Sequence, residues 1–262
     1  MKQAIVVTSF GVYDQKVKKE CIDTVIDDVR REFPRYDIFE AWTCRFLVRK
    51  LAKEGISYGL LDDVLANLAE AGYQTVIVLP THLTPGEEFN NKILTAAEAV
   101  RGRFDQLTVV NPVLTGNGPA DYAGITEILA DLDALGNGEE LVLMGHGSPN
   151  HHNPVYEWIQ QYADEKHLPL HIGVVETEDY PNLQNVIRRL TDKGVKKVFL
   201  RPMMLVGGDH ANNDMAGDEP TSWKNTIMAA GMEVRCSTKG LGTNPGYRSL
   251  YLNKLKEAEQ LP

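Results

Sequence analysis

The amino-acid sequence predicts an α/β fold of two similar halves, each a four-stranded parallel sheet with helices, facing each other across a cleft. Eight apolar, strand-like runs recur along the 262 residues, and segments of helical periodicity separate them. Alternating strands and helices are typical of parallel sheets with right-handed crossovers. The two halves of the chain also echo each other, which indicates duplication of one α/β unit.

The eight predicted strands form two sets of four. Several are near-continuous runs of Val, Ile and Leu, as expected for strands that are buried on both faces. After the third strand, apolar residues recur every three or four positions and predict a helix over 87–104. The strands are predicted at 4–8, 37–42, 75–79, 107–110, 141–144, 170–175, 197–200 and 233–236.

The internal echo lies in two pairs of segments. VIVLPTHLTPGEEF (76–89) and VFLRPMMLVGGDHANND (198–214) both run from a strand through Pro, Leu and Gly to an acidic residue, and VVTSFG parallels VLMGHGS. A boundary is expected within 115–138, where Gly-rich segments flank a short helix. We therefore predict an N-terminal α/β half at 1–128 and a C-terminal half at 129–262.

Composition narrows the class of protein. The net charge of −9 argues against nucleic acid or an anionic membrane as the main partner, but does not exclude a small acidic ligand. No run approaches the roughly 18 apolar residues of a membrane span, and the first apolar run is too short for a signal peptide. The three cysteines are scattered without a CxxC pair, so neither a disulfide framework nor a zinc knuckle is expected. The sequence predicts a cytoplasmic protein.

Three metal-ligand side chains follow successive strands of the second half. They are His146 in a Gly-His-Gly-Ser turn, Glu176 and His210. Successive parallel strands usually neighbour one another, so we expect the three to converge at one edge of the sheet. Two imidazoles and a carboxylate suit Co²⁺, Ni²⁺, Fe²⁺ or Zn²⁺, and three ligands leave coordination positions open for a substrate.

Each ligand candidate also has a structural interpretation. His146 can be a turn histidine bonded to backbone, and Glu176 can stand beside a helix start formed by Thr177 or Asp179. The Asp and Asn residues around His210 can merely cap the segment that follows. The matching position of all three after strands favours a metal site.

The first half offers His82 and Glu88 after its third strand, in positions that correspond to Met204 and His210. We expect both to face the metal site across the cleft. Glu88 can equally be a first-turn helix carboxylate that the helix dipole stabilises. The remaining histidines are interpreted as solvated loop residues (His151, His152) or structural residues (His167, His171).

Several cofactor motifs are missing from the sequence. GxxxxGK[ST] does not occur, which excludes an ATP-driven P-loop enzyme. The Gly-Asn-Gly and Gly-His-Gly segments lack the third glycine of a dinucleotide fingerprint, and the Gly-His-Gly-Ser turn is not a G-x-S-x-G elbow. Neither ATP nor an organic cofactor is therefore expected.

LMGHGSPNHH, the VVE strand end and PMMLVGGDHANNDMAGDEPTSWK (202–224) together resemble the anaerobic-pathway sirohydrochlorin cobaltochelatases, a class II chelatase family that needs no ATP. VVTSFG, THLTPGEEF and GLGTNPGYRS also follow the family's pattern, so the resemblance covers most of the chain. It implies a two-half chelatase fold around a tetrapyrrole cleft. It also implies insertion of Co²⁺, the substrate metal, into sirohydrochlorin with release of two protons, in cobalamin biosynthesis.

The resemblance implies that His146 is both a metal ligand and a proton acceptor, and that Glu176 and His210 complete the metal site. Glu88 is a candidate second catalytic residue. Because the substrate carries many carboxylates, basic or amide groups should bind it despite the net charge. Candidates are the backbone N–H groups at a helix start around Ser9, Phe10 and Gly11, together with the side chains of His82 and Arg45. Arg49 and Lys50 are further basic candidates. All three basic residues can alternatively lie on a solvated helix face.

Other interpretations stay open. The ligand set does not separate Co²⁺ from Fe²⁺ or Ni²⁺ insertion into a related tetrapyrrole. Two α/β halves around a cleft also suit a metal or tetrapyrrole-binding protein without catalysis. A homo-oligomer is compatible with the sequence.

Overall fold

The architecture is two four-stranded parallel sheets, as predicted. The computed structural model describes residues 2–148, 152–176 and 178–260. Strand order is β2-β1-β3-β4 in the first sheet and β6-β5-β7-β8 in the second. The strands are β1 (Gln3–Ser9), β2 (Asp37–Trp42), β3 (Thr75–Pro80), β4 (Gln106–Val109), β5 (Glu139–Gly145), β6 (Leu170–Val174), β7 (Lys197–Pro202) and β8 (Glu233–Cys236).

Helices connect the strands. Short 3₁₀ turns lie at Arg101–Arg103, Pro119–Tyr122, Leu132–Ala134 and Leu241–Thr243, and π-helical turns at Phe89–Leu94 and His210–Met215. The predicted helix over 87–104 is therefore a π-helical turn, an α-helix and a 3₁₀ turn in succession. The α-helices are α1 (Gln15–Glu32), α2 (Arg45–Ala52), α3 (Leu61–Glu70), α4 (Thr95–Val100), α5 (Ala123–Ala130), α6 (Val155–Glu165), α7 (Leu183–Asp192), α8 (Trp223–Ala229) and α9 (Pro245–Glu259). None of the helices within the described ranges is long and apolar enough to cross a membrane.

Each sheet packs against the apolar faces of its own helices. In the first sheet, Val6 and Val78 lie in one cluster with Ile93, a residue of the predicted apolar stripe. In the second, Val142 and Leu200 share a cluster with helix residues that include Ile227. The central strands β1, β3, β5 and β7 are buried almost throughout, because helices cover both faces of a parallel sheet.

The compact units differ from the predicted halves 1–128 and 129–262. One unit comprises the chain up to Thr115 together with the chain from Arg248 onward, and the other is Gly116–Tyr247. Residues 116–128 belong to the second unit because their side chains pack there: the rings of Tyr122 and Trp158 stack with centroids 6.0 Å apart.

The last helix returns to the first unit through polar contacts. Arg248 Nε lies 2.6 Å from Asp28 Oδ2 in a mostly buried ion pair. Tyr251 Oη donates to the carbonyl of Thr81 over 2.9 Å in the core. Long-range side-chain contacts of this kind have no local sequence signal, so the chain pattern alone placed the helix with the second half.

The two units repeat the same loop geometry after their first strands. Gly11 after β1 and Gly147 after β5 have φ of +97° and +82°. The carbonyl before each glycine accepts an equivalent hydrogen bond. Cys44, two residues after β2, donates its N–H to the Phe10 carbonyl (3.3 Å), and Glu176, two residues after β6, donates to the His146 carbonyl (3.1 Å). The internal echo in the sequence therefore corresponds to a structural repeat.

Candidate metal centre

His146 stands on the loop that follows β5, the strand that lies between β6 and β7. Strand order reverses beside β5, and ligands of open α/β sheets bind at such switch points. The exposed ring places Nδ1 3.2 Å from the Gly147 carbonyl oxygen. A carbonyl only accepts hydrogen bonds, so this contact favours the neutral tautomer with the proton on Nδ1, in which Nε2 is the acceptor nitrogen. This nitrogen can bind a metal or accept a proton.

The loop around His146 leaves no room for larger residues. A Cβ on Gly145 would lie 2.5 Å from Tyr156 Cε1, and Gly147 donates its N–H to Tyr156 Oη over 3.2 Å. Burial raises the pKa of Tyr156 to about 12, so the phenol stays neutral and accepts this bond. The two glycines of the Gly-His-Gly turn therefore fix the approach of the loop to α6.

His210 lies close to His146. The two imidazole rings meet edge to face, with centroids 5.0 Å apart and planes 88° apart. His210 Nδ1 is 2.6 Å from Asp214 Oδ2, four residues further along the π-helical turn. Because a carboxylate accepts a proton from Nδ1, the lone pair of the neutral His210 ring lies on Nε2. The structure thus brings together two of the three predicted ligands.

Glu176 is tied to the same edge of the sheet through its backbone. Its N–H donates to the His146 carbonyl, and its side chain is partly exposed. Within the described ranges, no three His, Cys, Asp or Glu side chains already form a metal-binding group. The alternative role of Glu176 and Asp179 beside a helix start is wrong, because α7 begins at Leu183 and Asn182 caps it.

Two residues near the histidines, Asp214 and Tyr156, are not among the sequence predictions. Asp214 orients His210, and the signal for it was the His-x-x-x-Asp spacing. Tyr156 holds the Gly147 amide, and nothing local to its helix indicates this. His152 is an exposed loop residue, as predicted, and its Nδ1 and Nε2 lie 3.1 Å from Asp179 Oδ1 and 2.6 Å from Glu157 Oε2. Its neighbour His151 lies outside the described residues.

His171 is structural, as predicted. It is fully buried on β6, bonded to the Glu140 carboxylate, and accepts from Arg189 Nε at Nδ1 over 3.2 Å. Burial lowers its pKa. His167 is an exposed loop residue with φ of +54°. Neither imidazole takes part in the metal centre.

In the first unit, Glu88 is held by two neighbours. Thr43 Oγ1 donates to Glu88 Oε1 over 2.5 Å, and Lys92 Nζ lies 2.8 Å from Oε2. Glu88 and His210 occupy equivalent places, each eight residues beyond the proline that ends its strand (80 to 88, 202 to 210). Glu88 directly precedes a π-helical turn that runs into α4, so its alternative position beside a helix start also agrees with the structure.

His82 is partly exposed, but both of its ring nitrogens are buried. Burial lowers its pKa to about 4, so the ring is neutral near pH 7. Neither ring nitrogen has a hydrogen-bond partner among the described residues, and the same holds for the buried Ser9 hydroxyl. Buried polar groups without partners are uncommon and often mark functional positions.

The expected helix start at Ser9–Gly11 is wrong. Helix α1 begins only at Gln15, and Asp14 Oδ1 accepts from Lys16 N (2.7 Å) and Val17 N (3.2 Å). The amides of residues 9–11 therefore do not belong to a helix N-terminus. The Phe10 ring is 49% exposed, with Lys92 Nζ 5.9 Å from its centroid.

Two of the basic residues after β2 already contact other side chains of the first unit. Arg45 forms an ion pair with Asp62 at the surface. Lys50 Nζ lies 3.9 Å from the centroid of the Tyr13 ring. A substrate carboxylate at Arg45 would therefore compete with Asp62.

Two parallel α/β units share one strand order, and two imidazoles lie together at the edge of one sheet. This combination is typical of a metal-handling α/β protein of the chelatase type. The chain belongs to the cobalt chelatase (CbiK) family, whose family model matches residues 3–260.

Two relatives match along nearly the whole chain. The sirohydrochlorin cobaltochelatase of Salmonella typhimurium is 34% identical over 260 residues, which cover 98% of this chain and 97% of that protein. The sirohydrochlorin cobaltochelatase CbiKC of Nitratidesulfovibrio vulgaris is 28% identical over 260 residues, 98% of this chain and 90% of that protein.

The fold is shared with a solved chelatase structure of low sequence identity. SirB from Bacillus subtilis with Fe³⁺ superposes with a TM-score of 0.67 at 16% identity, covering 99% of this chain and 96% of SirB. A cobalt complex of the sirohydrochlorin chelatase SirB from Bacillus subtilis subspecies spizizenii gives a TM-score of 0.63 at 16% identity, covering 100% of this chain and 97% of that chain. The predicted two-unit chelatase architecture is thereby confirmed.

Proposed function

We propose that this protein inserts Co²⁺ into sirohydrochlorin without ATP, as a step of anaerobic cobalamin biosynthesis. The observation that carries the proposal is the pair His146 and His210: their rings lie 5.0 Å apart, and each Nδ1 faces a protein oxygen, so that Nε2 of each neutral ring can bind a metal. The names of the two full-length relatives support the metal and the tetrapyrrole.

The proposed ligands of the incoming Co²⁺ are His146, Glu176 and His210. Imidazole nitrogen and carboxylate oxygen suit a borderline divalent ion, and three protein ligands leave positions for the pyrrole nitrogens. Asp214 holds the His210 ring so that Nε2 faces away from the carboxylate, as carboxylates commonly orient metal-binding histidines.

Metallation also removes two protons from the macrocycle. A neutral imidazole is a suitable acceptor near pH 7. The metal and a proton compete for the single Nε2 lone pair of His146, so metal transfer and proton uptake at this residue are sequential, or His210 shares these roles. Glu88 is proposed as a second catalytic carboxylate, which Thr43 and Lys92 hold in place.

The first unit is proposed to contribute substrate contacts. Phe10 offers an exposed apolar ring to the flat macrocycle, with Lys92 beside it to attract a carboxylate. Polar contacts are proposed from Ser9, the Gly11 backbone and the neutral His82, and from Arg45 when it exchanges Asp62 for a substrate carboxylate.

We also propose the compartment in which the protein acts and the partners that it binds. Cys21, Cys44 and Cys236 form no disulfide within the described part of the chain, which agrees with a reducing cytoplasm. The tetrapyrrole and the metal are proposed as the partners, without nucleic acid, a membrane or an organic cofactor. Assembly into a homo-oligomer is compatible with the proposal.

The test follows the visible spectrum of sirohydrochlorin with Co²⁺, with and without protein and without ATP. We expect the protein to accelerate the spectral change of metallation, and His146→Ala to abolish most of the acceleration. His167→Asn is the matched control, because it removes an exposed imidazole and Asn tolerates the positive φ at that position.

Tight tetrapyrrole binding without faster metallation would contradict the proposed enzymatic activity and indicate a tetrapyrrole-binding protein. Faster insertion of Fe²⁺ or Ni²⁺ than of Co²⁺ under the same conditions would contradict the assigned metal. Near-normal rates in His146→Ala would remove this residue from the reaction.

A further inference from the structure

Asp179 is a buried carboxylate on the segment between β6 and α7, and it accepts four hydrogen bonds. Its side chain is fully shielded from solvent. Oδ2 accepts from Ser148 N over 2.9 Å. Oδ1 accepts from Tyr180 N (2.8 Å) and Asn153 N (3.2 Å), and lies 3.1 Å from His152 Nδ1.

These partners lie on the loop after β5 and on the segment between β6 and α7. Ser148 follows His146 by two positions, and Asn153 ends the same loop before α6. Asp179 itself follows Glu176 by three positions, so its carboxylate ties the loop of one proposed ligand to the segment of another. The Glu176 N–H also joins the two segments by donating to the His146 carbonyl, whereas Gly147 donates its N–H to Tyr156 on α6.

The chemistry of the four contacts selects a carboxylate. Three of the partners are backbone N–H groups, which only donate, and the fourth is an imidazole N–H. A carboxylate offers about four lone-pair positions and no donor, whereas an asparagine turns one of its two acceptors into an NH₂ group. In that case the NH₂ would meet an N–H and leave a buried donor without a partner.

The first unit has no such carboxylate at the equivalent position. One isolated parallel β-bridge in each unit defines the equivalent positions: Leu60 pairs with Trp42 in the first unit, and Asn182 pairs with Val174 in the second. Three residues before them stand Ser57 in the first unit and Asp179 in the second. The first unit carries Phe10 where the second carries His146, so within the described residues the carboxylate accompanies the metal-binding loop.

We propose that Asp179 is a positioning residue of the metal centre: it holds the His146 loop against the Glu176 segment so that both ligands reach one ion. This proposal rests on the proposed function, because it takes His146 and Glu176 as ligands. Residues that orient metal ligands typically change metal affinity by about 10–100-fold when they are replaced.

The test is Co²⁺ binding to the intact protein, measured by calorimetry and by the visible spectrum of the bound ion, with Co²⁺ alone as the probe. Asp179→Asn is expected to weaken binding by at least about tenfold and to alter the spectrum of bound Co²⁺. Glu157→Gln is the matched control. It removes the other carboxylate on His152 and leaves the three amide bonds of Asp179 intact, so affinity and spectrum should stay at wild-type values.

A structural role alone would lower the unfolding temperature and leave the affinity and spectrum of the folded protein unchanged; that result overturns the proposal. If Asp179→Asn does not fold, Asp179→Glu carries the same test, because it keeps the charge and displaces the oxygens by one methylene. Wild-type affinity in Asp179→Glu would likewise overturn it.

His146→Ala separates this proposal from the proposed function. If His146→Ala loses Co²⁺ and Asp179→Asn does not, only the positioning role fails. If His146→Ala also binds Co²⁺ normally, the proposed metal centre fails and the role of Asp179 fails with it.

Discussion

Gly147 is the point at which backbone conformation, packing and the metal centre depend on one another. Its φ of +82° disfavours any residue with a Cβ. A Cβ at this position would lie 2.9 Å from Val174 Cβ and 3.2 Å from Glu176 Cβ. Gly147→Ala should therefore strain the backbone and also push the Glu176 segment away from the His146 loop.

The loss of folding stability in Gly147→Ala has two parts, which a matched control variant separates. Gly138 in the same unit has φ of +73°, but a Cβ there meets nothing within 4 Å. Gly138→Ala should cost about 1 kcal/mol, the left-handed backbone penalty less the gain from a stiffer unfolded chain. Gly147→Ala adds overpacking against Val174 and Glu176, which brings its total to about 3 kcal/mol.

Urea unfolding of both variants, followed by far-ultraviolet circular dichroism, measures this difference. The account predicts that Gly147→Ala is less stable than Gly138→Ala by about 2 kcal/mol and also binds Co²⁺ more weakly. Equal stability of the two variants would refute the contact argument. Normal Co²⁺ binding by Gly147→Ala would refute the link between this glycine and the metal centre.

Two further predictions concern side-chain carboxylates. Asp214→Asn should weaken Co²⁺ binding by about 10–100-fold in calorimetry, because the His210 ring loses its acceptor; unchanged binding would show that this bond does not orient the ring. Glu139 accepts from Arg235 and from Gly136 N, which lower its pKa to about 2. Glu139→Gln should cost about 1 kcal/mol at pH 7. A carboxylate with a lowered pKa stabilises the fold above its unfolded value, near 4.5, so this cost should persist to about pH 5 and vanish towards pH 2. A cost independent of pH in urea titrations would contradict the assigned ion pair.

The strands could be predicted because strands buried in parallel sheets are written as continuous apolar runs. β2 and β8 have the predicted limits, and the other six differ by one or two residues at one or both ends. The approach of His146 to His210, which follows β7, was also predictable. The strand order was not: β5 lies between β6 and β7, so these two successive strands are not neighbours.

Contacts between residues far apart in the chain could not be predicted. The bond of Arg248 to Asp28, which places α9 in the first unit, joins residues 220 positions apart. Asp179 was visible only as a possible helix start, because its four donors lie on loops whose shape the sequence pattern does not specify. His210 lies on a π-helical turn, and helical periodicity does not distinguish such a turn from an α-helix.

The central claim is that His146 and His210 bind one Co²⁺ ion together. Calorimetry with Co²⁺ alone on the wild type, His146→Ala, His210→Ala and the double variant tests it most directly. The account predicts one site per chain, a large loss of affinity in either single variant, and little further loss in the double variant. Independent, additive losses, or a wild-type isotherm in either single variant, would contradict a shared ion.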